Sequence, residues 1–233
     1  MKNLNKSVLL AAITLLVVAV PSVAAAPHSH SQSSTGRVYI MTNDPSGNQI
    51  VVYNRESDGS LTWIANTPTG GQGLSGLTGS NQGGLTLSSD SRWLFAVNAG
   101  SNDVSVFRVT SDGLSLTERE SSGGVEPVSV TVFHSWVYVL NAGSSDTAGN
   151  IAGFTLDNGQ LTLIAGSVQP LSGSATVAQI SFNPTGTALA VTEKSTSLID
   201  IYAVNEDGVA SSQQSTCLAD LRLSDSLSTA EVC

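Results

Sequence analysis

The strongest constraint on what this chain can fold into is a passage that returns. Residues 97–107 read VNAGSNDVSVF, and residues 140–154 read LNAGSSDTAGNIAGF. Each Asn-Ala-Gly closes one β-rich run and opens a turn into another. The frame is longer than the quoted words. Residues 94–98 lead through the turn to 104–109, then through Ser111-Asp112-Gly113 to 114–116; residues 137–141 lead to 151–156, Asp157-Asn158-Gly159 and 161–164. An earlier copy occupies 38–43, 49–53, 57–60 and 61–64, and a later one 189–194, 198–204 and 206–208. β-Branched and aromatic residues alternate with polar ones in these runs, which predicts strands, and each Asp-Gly or Asn-Gly supplies the positive φ that a tight hairpin requires.

One further short run precedes each of the later copies: residues 85–87, 128–133 and 178–182. Four antiparallel strands in a unit that recurs at 55, 43 and 51 residues, counted from Asn43 to Asn98, Asn141 and Thr192, are the pattern of β-propeller blades. The expectation is an all-β chain of about three and a half four-stranded antiparallel blades, with the two Asn-Ala-Gly words as the turn between second and third strands on successive blades. Asn and Gly both accept positive φ, so a structural turn is favoured over ligand contact for Asn98 and Asn141. Composition agrees: with 12% charged residues and 22 Gly, the chain is poor in the Lys, Glu and Arg that coat long helices.

The words ISFNPTGTALAVTEK (residues 180–194), LTLSSDSRWLFAVNAGSNDVSVF (85–107), VEPVSV (125–130) and VTEKSTSLIDIY (191–202) give the repeat a family likeness. It resembles the lactonase-type seven-bladed propellers, which include 6-phosphogluconolactonase-like proteins and the exported fungal proteins described as 3-carboxymuconate cyclases. The resemblance covers about residues 37–215. It implies a seven-bladed ring, a lactone or carboxymuconate-type small molecule as ligand, and no cofactor.

The ends of the chain read differently. Lys2 and Lys6, the apolar run 8–20 and Ala24-Ala25-Ala26 form a secretory signal over residues 1–26, too short for a membrane span. A secreted or extracellular protein, in contact with a cell wall or free of it, is therefore expected. Residues 27–36 read as a flexible polar leader, in which His28 and His30 lack a third metal ligand, so no metal is expected. Residues 37–215 form the partial propeller. Residues 216–233 carry neither alternation nor a hairpin signal and read as an irregular tail, foreign to a ring that is short by about half its blades. Two such half-rings completing each other as a homodimer is one expectation; a product incapable of independent activity is another. Cys217 and Cys233 both fall in the tail, where a disulfide between them is possible but not fixed by any fold constraint.

A net charge of −9 excludes the basic surface that nucleic-acid binding needs. The ligand face of a propeller is built by the loops joining fourth strands to the next first strands and second strands to third. Here these carry Gln82, Asn98, Asp103, Glu126, Asn141, Asp146, Glu193 and Lys194. The family's enzymes are understood to use His, Arg and Glu there. In this chain His134 lies in a first-to-second-strand turn on the opposite side, and Arg55, Arg92, Arg108 and Arg119 sit at strand ends or turns elsewhere, leaving Lys194 as the cation of the ligand face. Glu193-Lys194 reads either as a general base beside a carboxylate anchor or, more simply, as a turn-edge ion pair. Glu126, held before Pro127, is expected to be extended. A lactonase or cyclase and a non-catalytic secreted binding or adhesion protein both remain open.

Overall fold

The computed structural model describes residues 36–76, 81–172 and 176–217. The signal segment, most of the leader and tail, and Cys233 lie outside these residues, so the Cys217–Cys233 pairing does too. Among the described residues there is no helix, and so none long and apolar enough to cross a membrane.

Sixteen strands run in chain order: β1 (Gly36–Met41), β2 (Gln49–Arg55), β3 (Leu61–Pro68), β4 (Leu85–Leu87), β5 (Trp93–Asn98), β6 (Asp103–Thr110), β7 (Gly113–Ser121), β8 (Pro127–Phe133), β9 (Trp136–Asn141), β10 (Asn150–Asp157), β11 (Gln160–Leu163), β12 (Gln169–Pro170), β13 (Val177–Phe182), β14 (Ala188–Glu193), β15 (Leu198–Ala203) and β16 (Gln214–Cys217). They form four antiparallel sheets in simple up-and-down order: β1-β2-β3, β4-β5-β6-β7, β8-β9-β10-β11 and β13-β14-β15-β16, called here blades 1 to 4. Blade 3 gains the short β12, which pairs with β10 and was not expected. Blade 1 has three strands, as the repeat pattern predicts.

The hairpins follow the predicted chemistry. Asn158 and Gly159 both have positive φ, which matches a primed turn to the twist of its strands, and Gly59, Gly113 and Gly208 take positive φ at the equivalent tips. The last blade extends past the boundary drawn at Ser215, because β16 pairs with β15 as far as Cys217. Its sequence, QSTC, has no hydrophobic alternation; an outer strand needs only a backbone ladder with its neighbour, which composition does not report.

Successive blades stack through three apolar clusters. Ile50, Val52, Leu94, Ala96 and Phe107 join blades 1 and 2. Phe95, Val106, Val130, Val139 and Phe154 join blades 2 and 3. Tyr138, Leu140, Ile180, Leu189 and Tyr202 join blades 3 and 4. The inner strands also bond to one another: Val130 N–H donates to Gly83 O (2.9 Å), Thr86 Oγ1 donates to Val130 O (2.8 Å), and Ile180 N–H donates to Ser129 Oγ (3.2 Å). Tyr138, wholly buried, accepts from Ala210 N–H (2.9 Å) and donates to Gly208 O (2.7 Å), tying blade 3 to the blade 4 hairpin, and burial pushes its pKa up to about 12.

Candidate functional site

The face built by second-to-third-strand turns and blade-to-blade loops holds a cavity of about 240 Å³ beside the inner strands of blades 3 and 4. Glu126 contributes from the lead-in to β8 and Val128 from that strand, Gly143, Ser144 and Thr147 from the β9–β10 turn, and Thr176 and Val177 from the start of blade 4. It lies on the face predicted for a ligand.

Glu126 is the ionisable group in its wall. The expected extended backbone is not found: φ is 56°, in the left-handed region that a non-glycine residue occupies at a cost of roughly 1–3 kcal/mol. Both peptide groups around it are held. Its N–H donates to Asn102 Oδ1 (2.8 Å) from the blade 2 turn, and its carbonyl accepts from Ala142 N–H (2.9 Å) in the blade 3 turn. The two Asn-Ala-Gly turns thus grip one residue from either side and override the preference imposed by Pro127. Burial raises the pKa of the Glu126 carboxyl, which favours its neutral form.

The asparagines of the repeated word have a different task. Asn98 is wholly buried and bonded at every group: Nδ2 donates to Asp103 Oδ1 (2.6 Å) and Ser105 Oγ (2.8 Å), while Oδ1 accepts from Asn48 Nδ2 (2.9 Å) and Thr69 Oγ1 (2.7 Å). Thr69 lies in the loop leaving blade 1, so Asn98 is a pin between blades. Asn141 repeats the donor half of the device, donating to Ser122 O (3.0 Å) in the loop leaving blade 2 and to Asn150 Oδ1 (2.8 Å), while its own Oδ1 is buried without a hydrogen-bond partner. Gly71 and Gly124 make room for these pins: a Cβ on either would stand 2.4 or 2.6 Å from Cγ of Asn98 or Asn141.

Glu193 ends β14 where Asn98 ends β5 and Asn141 ends β9. It is 1% exposed, not a turn-edge side chain. Thr196 Oγ1 donates to its Oε2 (2.8 Å), and its carboxyl neighbours that of Asp200, itself wholly buried on β15. Lys194 is exposed; its N–H donates to Thr176 O (2.7 Å).

The remaining predicted residues do not enter the cavity wall. Gln82 and Asp146 are exposed, Asp146 between the lining residues Ser144 and Thr147. Asp103 is buried and lies 3.7 Å from Arg119 Nε, whose guanidinium also donates to Gly70 O. Arg119 therefore belongs to the Asp103 end of blade 2, and Lys194 is not the sole cation near this face. His134 is in the β8–β9 turn, as expected, where it lines a separate cavity of about 380 Å³ with Asp90, Arg92 and Asp157. Sequence reasoning passed over Thr69, Ser172 and Asp200. The signal for the first two was the recurrence of Thr69-Gly70-Gly71, Ser122-Gly123-Gly124 and Ser172-Gly173-Ser174 before each inner strand. Among the described residues no three His, Cys, Asp or Glu side chains come together as a metal-ligand set.

Four stacked antiparallel sheets with inner strands side by side define a β-propeller architecture. The family model for lactonases with a seven-bladed β-propeller matches residues 19–169, and the chain belongs to that family. No curated protein matches it. Among solved structures it is similar to a protein from Lactobacillus plantarum (13% identity, TM-score 0.63, 83% of this chain and 56% of that one). It is also similar to candidate 6-phosphogluconolactonases from Bacteroides uniformis (15%, 0.57, 78% and 53%) and Bacteroides fragilis (18%, 0.52, 79% and 55%). The chain spans about half the length of these structures.

Proposed function

We propose that this chain forms part of an exported lactonase-like propeller that takes a small cyclic ester or carboxymuconate-type acid into the cavity beside Glu126. The observation that carries the reading is the Glu126 carboxyl, held by strained backbone in a cavity wall and shifted by burial towards a pKa useful for proton transfer. Family membership supports the ligand class. In lactone hydrolysis, ionised Glu126 would take a proton from the attacking water, the acyl–oxygen bond of the ring would break, and the same proton would pass to the leaving alkoxide. The hydroxyls of Ser144, Thr147 and Thr176 also line the cavity and offer donors to the ester carbonyl.

The test is lactone hydrolysis and cis,cis-carboxymuconate conversion by the full chain, with Glu126→Gln as comparison. Loss of about 10²–10⁴ in kcat with retained ligand binding is expected of a general base. Turnover by Glu126→Gln at the wild-type rate would overturn this role. Binding by both proteins with turnover by neither would favour the second reading, a secreted binding protein, which the full engagement of Asn98 and Arg119 in blade contacts also supports.

A further inference from the structure

Glu193 is an acid at a position where the two preceding blades use an amide. Asn98 works as a pin because its carboxamide donates on one side and accepts on the other. A carboxylate only accepts; a carboxylic acid does both. The surroundings of Glu193 match the second description. Oε2 accepts from Thr196, as Asn98 Oδ1 accepts from Thr69. Oε1, like the hydroxyl of Ser172 in the loop leaving blade 3, is buried with no hydrogen-bond partner. Across from it Asp200 stands where Ser105 stands in blade 2, since each lies two residues beyond the partner of its pin in the ladder, Leu198 or Asp103. Asp200 Oδ2 accepts from Ser172 N–H (3.0 Å) in the loop leaving blade 3. Two neighbouring carboxyl groups out of water cannot both remain ionised cheaply, and a proton on Oε1 gives that oxygen the partner it lacks.

We propose that Glu193 is a neutral carboxylic acid in the folded protein, donating its proton from Oε1 to Asp200, and that this shared proton fixes the Asp200 carboxyl, which in turn fastens blade 4 to the loop leaving blade 3 through Ser172 N–H.

The consequence reaches the cavity. Glu193 pairs with Val177 across the β13–β14 ladder, Lys194 N–H bonds Thr176 O, and Thr176 N–H donates to Ser195 Oγ (3.0 Å), so the blade 4 wall hangs on the segment that the pin holds. The titratable groups facing Glu193 are Asp200 and Tyr202 on β15. Strand β13 and the Leu171-Ser172 loop bring none, Lys194 adjoins it in the chain, and Glu126 is the ionisable group across the cavity. Burial, and then the Asp200 carboxyl, raise the Glu193 pKa, while Thr196 and Ser172 oppose the rise. The pin is therefore complete below the ordinary carboxylate range and is lost as pH climbs from there through the raised pKa of Glu193.

The experiment is infrared difference spectroscopy of the full chain through a pH titration, with thermal unfolding at each pH, on wild type, Glu193→Gln, Asp200→Asn and Glu126→Gln. Expected is the carbonyl band of a neutral carboxylic acid that persists above the ordinary carboxylate pKa, disappears in Glu193→Gln and survives in Glu126→Gln. Glu193→Gln keeps the donor and acceptor without a proton to lose. Its Tm should exceed that of wild type at alkaline pH by roughly 3–5 °C for each tenfold rise in proton affinity. Asp200→Asn, which removes the acceptor charge, should return Glu193 towards ordinary titration. Absence of the neutral-acid band in wild type, its survival in Glu193→Gln, or an unchanged fall of Tm with pH in Glu193→Gln would each overturn the proposal.

Discussion

Blades 2 and 4 are fastened to their predecessors at the same point by different chemistry. In blade 2 the fastening is Asn98, with a full set of neutral and charge-assisted hydrogen bonds and no proton to lose. In blade 4 the same point carries Glu193 against Asp200, two acids in one buried site. The backbone frame is shared, so the difference lies in the side chains. An amide has no proton to lose, whereas an acid pin holds only while it keeps a proton. A repeat fold can therefore set the pH response of each junction separately without altering its ladder.

The severest way to break this comparison is to give blade 2 the chemistry of blade 4. Asn98→Asp would place a carboxyl where Nδ2 now lies 2.6 Å from Asp103 Oδ1. Ionised, it repels Asp103 and leaves that carboxylate without its donor, a loss of about 3–4 kcal/mol of stability at neutral pH. The folded pKa of the new acid would be raised above its unfolded value, so the lost stability should return as pH falls to the ordinary carboxylate range. Urea unfolding of Asn98→Asp between acid and neutral pH should show a steeper dependence than wild type; a profile parallel to wild type would mean that the junction relaxes around the charge.

A milder break targets the space that the pins need. Gly124 has no special φ, and its importance lies in the 2.6 Å that would separate an added Cβ from Asn141 Cγ. Gly124→Ala must push the buried Asn141 off Ser122 O and Asn150 Oδ1, at about 2 kcal/mol. Thermal unfolding should show Gly124→Ala well below wild type, while Gly47→Ala, where a Cβ would meet nothing within 4 Å, provides the control.

How far these features could be read beforehand follows from what each residue type signals. The strands were legible because period-2 alternation and Asp-Gly tips are local properties. The acid pin was legible in part. In ALAVTE, Glu193 shares its face with Leu189 and Val191, and in LIDIYA, Asp200 shares its face with Tyr202, so alternation alone places both acids inside. The sequence alone suggests a turn-edge ion pair because Lys194 is adjacent to Glu193 and Asp200 is not. Glu126 departs from its local signal for the opposite reason. The local preference of a residue before proline is for extended backbone, and hydrogen bonds from two turns, distant in sequence from each other, override it. The outer strand β16 has no hydrophobic pattern to read, being held by its ladder with β15.

The gentlest way to sharpen the comparison concerns charge at the edge of the amide pin. Arg119 is half exposed, and its Nε lies 3.7 Å from Asp103, the carboxylate that Asn98 serves. If the blade 2 pin owes its pH independence to the amide alone, removing this guanidinium should matter little. Arg119→Gln forfeits a partly solvated ion pair and the contact with Gly70 O, which together are worth about 0.5–1 kcal/mol and less in high salt. A small drop in Tm that shrinks with added salt and leaves the pH profile unchanged is the expected result. A new pH-dependent loss in Arg119→Gln would show instead that the Asp103 carboxylate depends on its cation, and that blade 2 is a masked version of the acid junction in blade 4.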